Sequence, residues 1–171
     1  GNKTVTATFT INTYTLTVNT VGSGTVTRDP DQPTYDHGTS VQLTATPAVG
    51  WRFTGWSGDA TGTTNPVSVL MDGNKTVTAT FTINTYTLMV AVVGSGSVTK
   101  APNQPTYQHG TTVQLCATPA LGWNFGGWSG SGLGGTVSCV NLVMDGNKTV
   151  TATFAINTYT LTMNTVGSGT V

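Results

Sequence analysis

From Val77 to Ile83 every odd position is apolar and every even one is threonine: Val77, Ala79, Phe81 and Ile83 alternate with Thr78, Thr80 and Thr82. Strand side chains point to opposite faces at each step, so this pattern predicts a half-buried β-strand. The phase then reverses, because Tyr86, Leu88 and Val90 fall at even positions. The reversal predicts a strand from about Lys75 to about Val90 with a bulge or sharp bend at Asn84–Thr85. Phe81, Ile83, Asn84, Thr85 and Tyr86 would then form a seam between two cores. The stretch Gly73–Leu88 also occurs unchanged at Gly1–Leu16, and again at Gly146–Leu161 with Ala155 as its one difference. The chain is thus a tandem array with a period of 72–73 residues.

Between successive seams the same reasoning gives six short strands. Tyr14, Leu16 and Val18 alternate on the first, and Gly22-Ser23-Gly24 supplies a turn toward a second around Val26. Asp29–Tyr35, with prolines at 30 and 33, reads as a rigid loop and the only place for a helical turn. Val41, Leu43 and Ala45 mark the third strand. Trp51 and Phe53 open the fourth, which Gly55 should break before Trp56, and Ser57–Asn65 reads as loop. Val67, Val69 and Met71 mark the fifth, and Asp72-Gly73 is a strong hairpin signal leading to the sixth. The expected organisation is therefore a last strand over 1–11, complete repeats over 12–83 and 84–156, and an opening hairpin over 157–171. Such ends would suit an excerpt from a longer array.

Composition supports an all-β reading. Thirty-eight of 171 residues are threonine, which fits a solvated pleated face, and no window carries a sustained helical period. Only 7% of residues are charged and the net charge is zero, so there is no basic footprint for nucleic acid. No run approaches the ~20 apolar residues of a membrane helix.

The order of Tyr35, Gly38, Val41, Leu43, Ala45, Pro47, Gly50, Phe53, Trp56, Met71 and Val77–Phe81 resembles the divergent internalin-type B-repeat family, and the likeness covers both repeats. The resemblance implies a β-grasp-like fold with little or no helix. It also implies a place on long bacterial secreted or surface proteins, and roles in spacing, adhesion or assembly. It brings no catalytic signature, so neither an enzyme nor a cofactor is expected. The implied partners are neighbouring repeats or copies of the same chain end to end. Surface glycans or proteins are further candidates, whereas nucleic acid and membrane insertion are not expected.

Candidate chemistry is sparse. Cys116 stands where the first repeat has Thr44, and Cys139 where it has Pro66. A disulfide between them is favoured over two free thiols, given the surface-type repeats, and would contribute about 3 kcal/mol. His37 and His109 occupy equivalent turns, but Asp36 beside the first becomes Gln108 beside the second, which argues against a repeated catalytic pair. Asp29, Asp31, Asp36 and Asp59 become Ala101, Asn103, Gln108 and Ser131, so a calcium site is not repeated either. The Asn-Lys-Thr triplets at Asn2, Asn74 and Asn147 match a glycosylation pattern, but a turn explains them equally well. Trp51 and Trp123, each just after a glycine, are the candidates for stacking on a sugar, whereas Phe53, Trp56, Phe125 and Trp128 are expected in the core. The reading is a structural segment of an extracellular surface protein, a stalk, adhesin shaft or filament. The alternative is a glycan-binding module of a secreted protein.

Overall fold

The computed structural model describes residues 1–169, and they contain strands and no helix. Two compact units divide between Asn84 and Thr85. The first holds β1 (Thr13–Tyr14), β2 (Leu16–Val21), β3 (Gly24–Asp29), β4 (Tyr35–Asp36), β5 (Ser40–Pro47), β6 (Trp51–Gly58), β7 (Val67–Leu70) and β8 (Lys75–Ile83). The second repeats the series as β9 (Thr85–Tyr86), β10 (Leu88–Val93), β11 (Gly96–Ala101), β12 (Tyr107–Gln108), β13 (Thr111–Pro119), β14 (Trp123–Ser129), β15 (Cys139–Met144) and β16 (Lys148–Ile156). The six long strands of each unit lie at the six places that alternation and the turn signals together predict. The two-residue pieces β1 and β4 pair with each other, as do β9 and β12.

Each unit has two three-stranded sheets, ordered β2-β8-β6 and β3-β5-β7 in the first, and β10-β16-β14 and β11-β13-β15 in the second. Their inward residues meet in one core per unit. Leu16, Val77, Ala79, Phe81 and Trp56 come from one sheet and Val41, Leu43, Ala45 and Val69 from the other, with Tyr35 and Met71 between. The turns therefore do different work from that expected. Asp72-Gly73 does not close a hairpin, because β7 pairs with β5 while β8 pairs with β2 and β6. Gly22–Gly24 likewise carries the chain from one sheet to the other. Both connections are arches over the core edge, so the opening segment of a repeat is an arch as well.

Gly55 does not break β6. The register shifts between Phe53 and Gly55, a β-bulge that puts Thr54 out of step. Residues three apart in a regular strand face opposite sides. The extra residue brings Phe53 and Trp56 onto one side, with ring centroids 5.0 Å apart. Asp29–Tyr35 forms no helical turn. Instead the Tyr35 hydroxyl donates to Pro30 O and accepts from Gln32 N, tying the loop down, and Tyr107 does the same to Pro102 and Gln104.

Residues 1–11 match Gly73–Ile83 letter for letter but form no strand, with Val5 and Phe9 each 92% exposed. Tyr159, Leu161 and Met163 are exposed as well, and no strand forms over 157–169, while residues 170 and 171 of the expected opening segment lie outside the described residues. β8 is a strand because β2 and β6 flank it, and the end copies have no such neighbours here.

Candidate functional site

The first and last long strands of each unit lie side by side. β2 opens the repeat and β8 closes it, yet they are neighbours in one sheet and run parallel from Leu16↔Lys75 to Val21↔Thr80. β10 and β16 match them from Leu88↔Lys148 to Val93↔Thr153. Antiparallel β6 and β14 flank the closing strands on the other side, so β8 and β16 are central.

Side chains fix this register where the strands begin. Asn74 Oδ1 accepts from the Thr15 backbone N–H at 3.0 Å and from its hydroxyl, and Lys75 N–H donates to Thr15 O at 2.9 Å. Asn147 and Lys148 hold Thr87 in the same way. The Asn of the Asn-Lys-Thr triplet is thus a strand cap in both repeats. Lys75 pairs with Asp72 across the turn at 2.6 Å, and Lys148 pairs with Asp145. The hydrogen bond from Lys75 holds the Asp72 carboxyl below its ordinary value and raises the Lys75 ammonium; Lys148 lowers Asp145 similarly.

The seam residues divide between the units. Phe81 is buried in the first core, Ile83 ends β8, and Asn84 leaves the strand to donate its N–H to Gly50 O at 2.8 Å. Thr85 and Tyr86 form β9 and pair with β12 in the second unit. The strand is therefore interrupted at Asn84 and again at Thr87, and the buried phase passes from odd to even positions across the gap.

Cys116 and Cys139 are bonded. They face each other across β13 and β15, with Cα atoms 4.1 Å apart. Cys116 is half-buried and Cys139 exposed. Just beyond the bond, Ala117 N–H donates to Ser138 O. The first unit closes the same edge without covalent help. The Asn65 side chain accepts from Ala45 N–H at 2.9 Å and donates to Ala45 O at 2.8 Å, standing in for a strand residue next to Pro66, which has no N–H to give. Sequence reading found the cysteines through their absence from the first repeat. It missed the Asn65 clamp, which joins residues 20 apart and leaves no periodic trace.

Trp51 and Trp123 are half-buried rather than open. Each ring covers an arch glycine, so a methyl at Gly22 or Gly94 would come within 2.9 Å of it. Trp56 and Trp128 are buried, and their indole N–H groups donate to Thr64 O and Val137 O, pinning the loop before β7 and β15. His37 and His109 lie edge-on to Tyr14 and Tyr86. Among the described residues no three His, Cys, Asp or Glu side chains converge as a metal site would need. A polar cleft of about 510 Å³ is lined by Thr85, Pro102, Gln104, Thr106, Gln108 and Thr111.

Comparison with protein families gives two matches in tandem to the divergent InlB B-repeat domain, over residues 14–85 and 86–158. No curated protein and no solved structure matches the chain.

Proposed function

The chain belongs to the divergent InlB B-repeat family, and on that premise we propose that it is a load-bearing spacer on the outside of a bacterial cell, part of a stalk, adhesin shaft or filament with no catalytic role. The observation that carries this reading is the parallel pairing of each unit's first and last long strands. In a tandem array, tension enters a repeat through the two-residue β1 and then β2, the first long strand, and leaves through β8. Pulling on the N-terminal end of one parallel strand and the C-terminal end of its neighbour drives them in opposite directions along their axes. All the bonds between them then share the load and must break together. The disulfide supports an oxidising location outside the cell, and the neighbouring repeats are the expected partners.

The test compares two directions of pull in a single-molecule experiment. Load applied through the chain ends shears β2 against β8; load applied through handles at Thr15 and Asn74, where the same strands begin side by side, opens the pair one bond at a time. The first should require clearly more force. Equal forces would sink the load-bearing reading.

A second reading, glycan binding, rests on the cleft of Thr85, Gln104, Thr106, Gln108 and Thr111, whose neutral hydroxyl and amide groups suit a neutral sugar. Half-buried Trp51 and Trp123 lend it less. Thr106→Ala with Gln108→Ala should then abolish any signal on a glycan array; persistence of the signal would exclude this cleft.

A further inference from the structure

We infer that the disulfide makes the second repeat an extension limiter, a unit that yields under load but gives out less chain than its neighbour, and that a thiol reductant releases the remainder. This rests on the load-bearing reading above. The bond does not lie in the strand pair that takes the load first. β10 and β16 belong to one sheet, while Cys116 and Cys139 join β13 to β15 in the other. The disulfide therefore leaves the shearing of β10 against β16 free to happen. Once these strands part, the chain unravels inward from both ends until tension reaches Cys116 on one side and Cys139 on the other. There the load passes through the sulfur–sulfur bond, and the loop between them stays slack.

The cysteines are separated by 23 positions, and the loop between them includes all of β14, with Trp123, Phe125 and Trp128. At about 3.4 Å per extended residue it withholds about 8 nm. The first repeat has no such stop. Its equivalent edge is held by the two Asn65–Ala45 hydrogen bonds, which open with the rest of the fold. Two repeats with the same load-bearing strands thus yield by unequal lengths, and the molecule contains its own control.

Release is a thiol–disulfide exchange. Cys139 is exposed and Cys116 half-buried, so an external dithiol reaches the Cys139 sulfur. Its thiolate bonds to that sulfur, the bond between the cysteines breaks, and Cys116 leaves as a thiolate that takes up a proton. The second thiol of the reductant then attacks the mixed disulfide and frees Cys139. The products are two cysteine thiols and one cyclic oxidised reductant.

The experiment is a constant-velocity pull on the full chain through its ends, first without and then with a dithiol reductant. Without it, two unfolding steps are expected, one about 8 nm shorter than the other. With it, the short step should lengthen to match, or a delayed extra extension of about 8 nm should follow. A Cys139→Ser chain should give two long steps under both conditions. Equal steps in the oxidised chain would overturn the inference whatever the forces. Unequal steps that need no more force than the side-by-side pull would leave the limiter intact and fail the load-bearing reading instead.

Discussion

At the scale of single residues, the arches are decided by what glycine leaves out. A methyl on Gly24 would stand 2.6 Å from the Phe81 ring, and one on Gly96 would stand 2.5 Å from the Phe154 ring. Each ring is locked in a core and cannot retreat. Gly24→Ala should therefore destabilise the first unit by about 1–3 kcal/mol, the range for overpacking a closed core. Gly73→Ala meets nothing within 4 Å and should change stability by no more than about 0.5 kcal/mol. Chemical denaturation of the two variants checks the contrast. The Asp72–Lys75 pair makes a pH prediction. Asp72 is held below its ordinary 3.8, so its contribution is complete above that value and disappears as pH falls through the lowered one. Lys75 is raised above its ordinary 10.5, so its contribution is complete below 10.5 and is lost as pH rises past it. Asp72→Asn should thus lower the melting temperature slightly at neutral pH, with the gap to the unaltered chain closing in strong acid. A gap that persists there would mean the turn, and not the charge, is responsible.

At the scale of elements, one sequence appears in two states within one molecule. Gly1–Ile11 and Gly73–Ile83 are identical, yet Phe9 is 92% exposed and Phe81 3%. Phe81→Ala should cost about 3–5 kcal/mol, enough to unfold a repeat of this size, whereas Phe9→Ala should be close to neutral. Amide exchange across β5 and β8 reads both outcomes. The comparison also shows what alternation can reveal. Together with the turn signals it placed six strands where the six long ones lie, since a two-residue period needs only a few residues to declare itself. It was silent about partners, because Val77 and Ala79 read the same whether their neighbour is parallel β2 or a hairpin mate. That is why Asp72-Gly73 looked like a hairpin and is an arch. The bulge at Thr54 was hidden for a related reason: the spacing of Phe53 and Trp56 breaks the period, and glycine between them suggested an ending. β1 and β4, two residues each, are too short to alternate at all. Of the candidate site, the cysteines and the seam could be read from differences and phase. The Asn65 clamp and the half-burial of Trp51 depend on contacts that form only after the chain has folded.

At the scale of the whole molecule, two units with separate cores carry different closures on the same edge, and this should appear in how they melt. A crosslink restricts the unfolded chain, and one between cysteines 23 positions apart is worth about 3 kcal/mol on a chain-entropy estimate. The first unit has only the Asn65 amide at that edge, and hydrogen bonds of this kind exchange with water on unfolding for about 1 kcal/mol each. Reduction should therefore move one unit and spare the other. For a domain of this size, about 3 kcal/mol corresponds to a fall on the order of 10–20 °C in melting temperature. Amide exchange at Val113 and Leu115 follows the second unit, and at Val41 and Leu43 the first, since all four are fully buried on the strands that the two closures hold. Adding reductant should accelerate exchange at Val113 and Leu115 in β13 while leaving Val41 and Leu43 in β5 unchanged. If both units loosen together, their stabilities are not separable; if neither moves, the disulfide restrains an unfolded state that is already compact across Cys116 and Cys139.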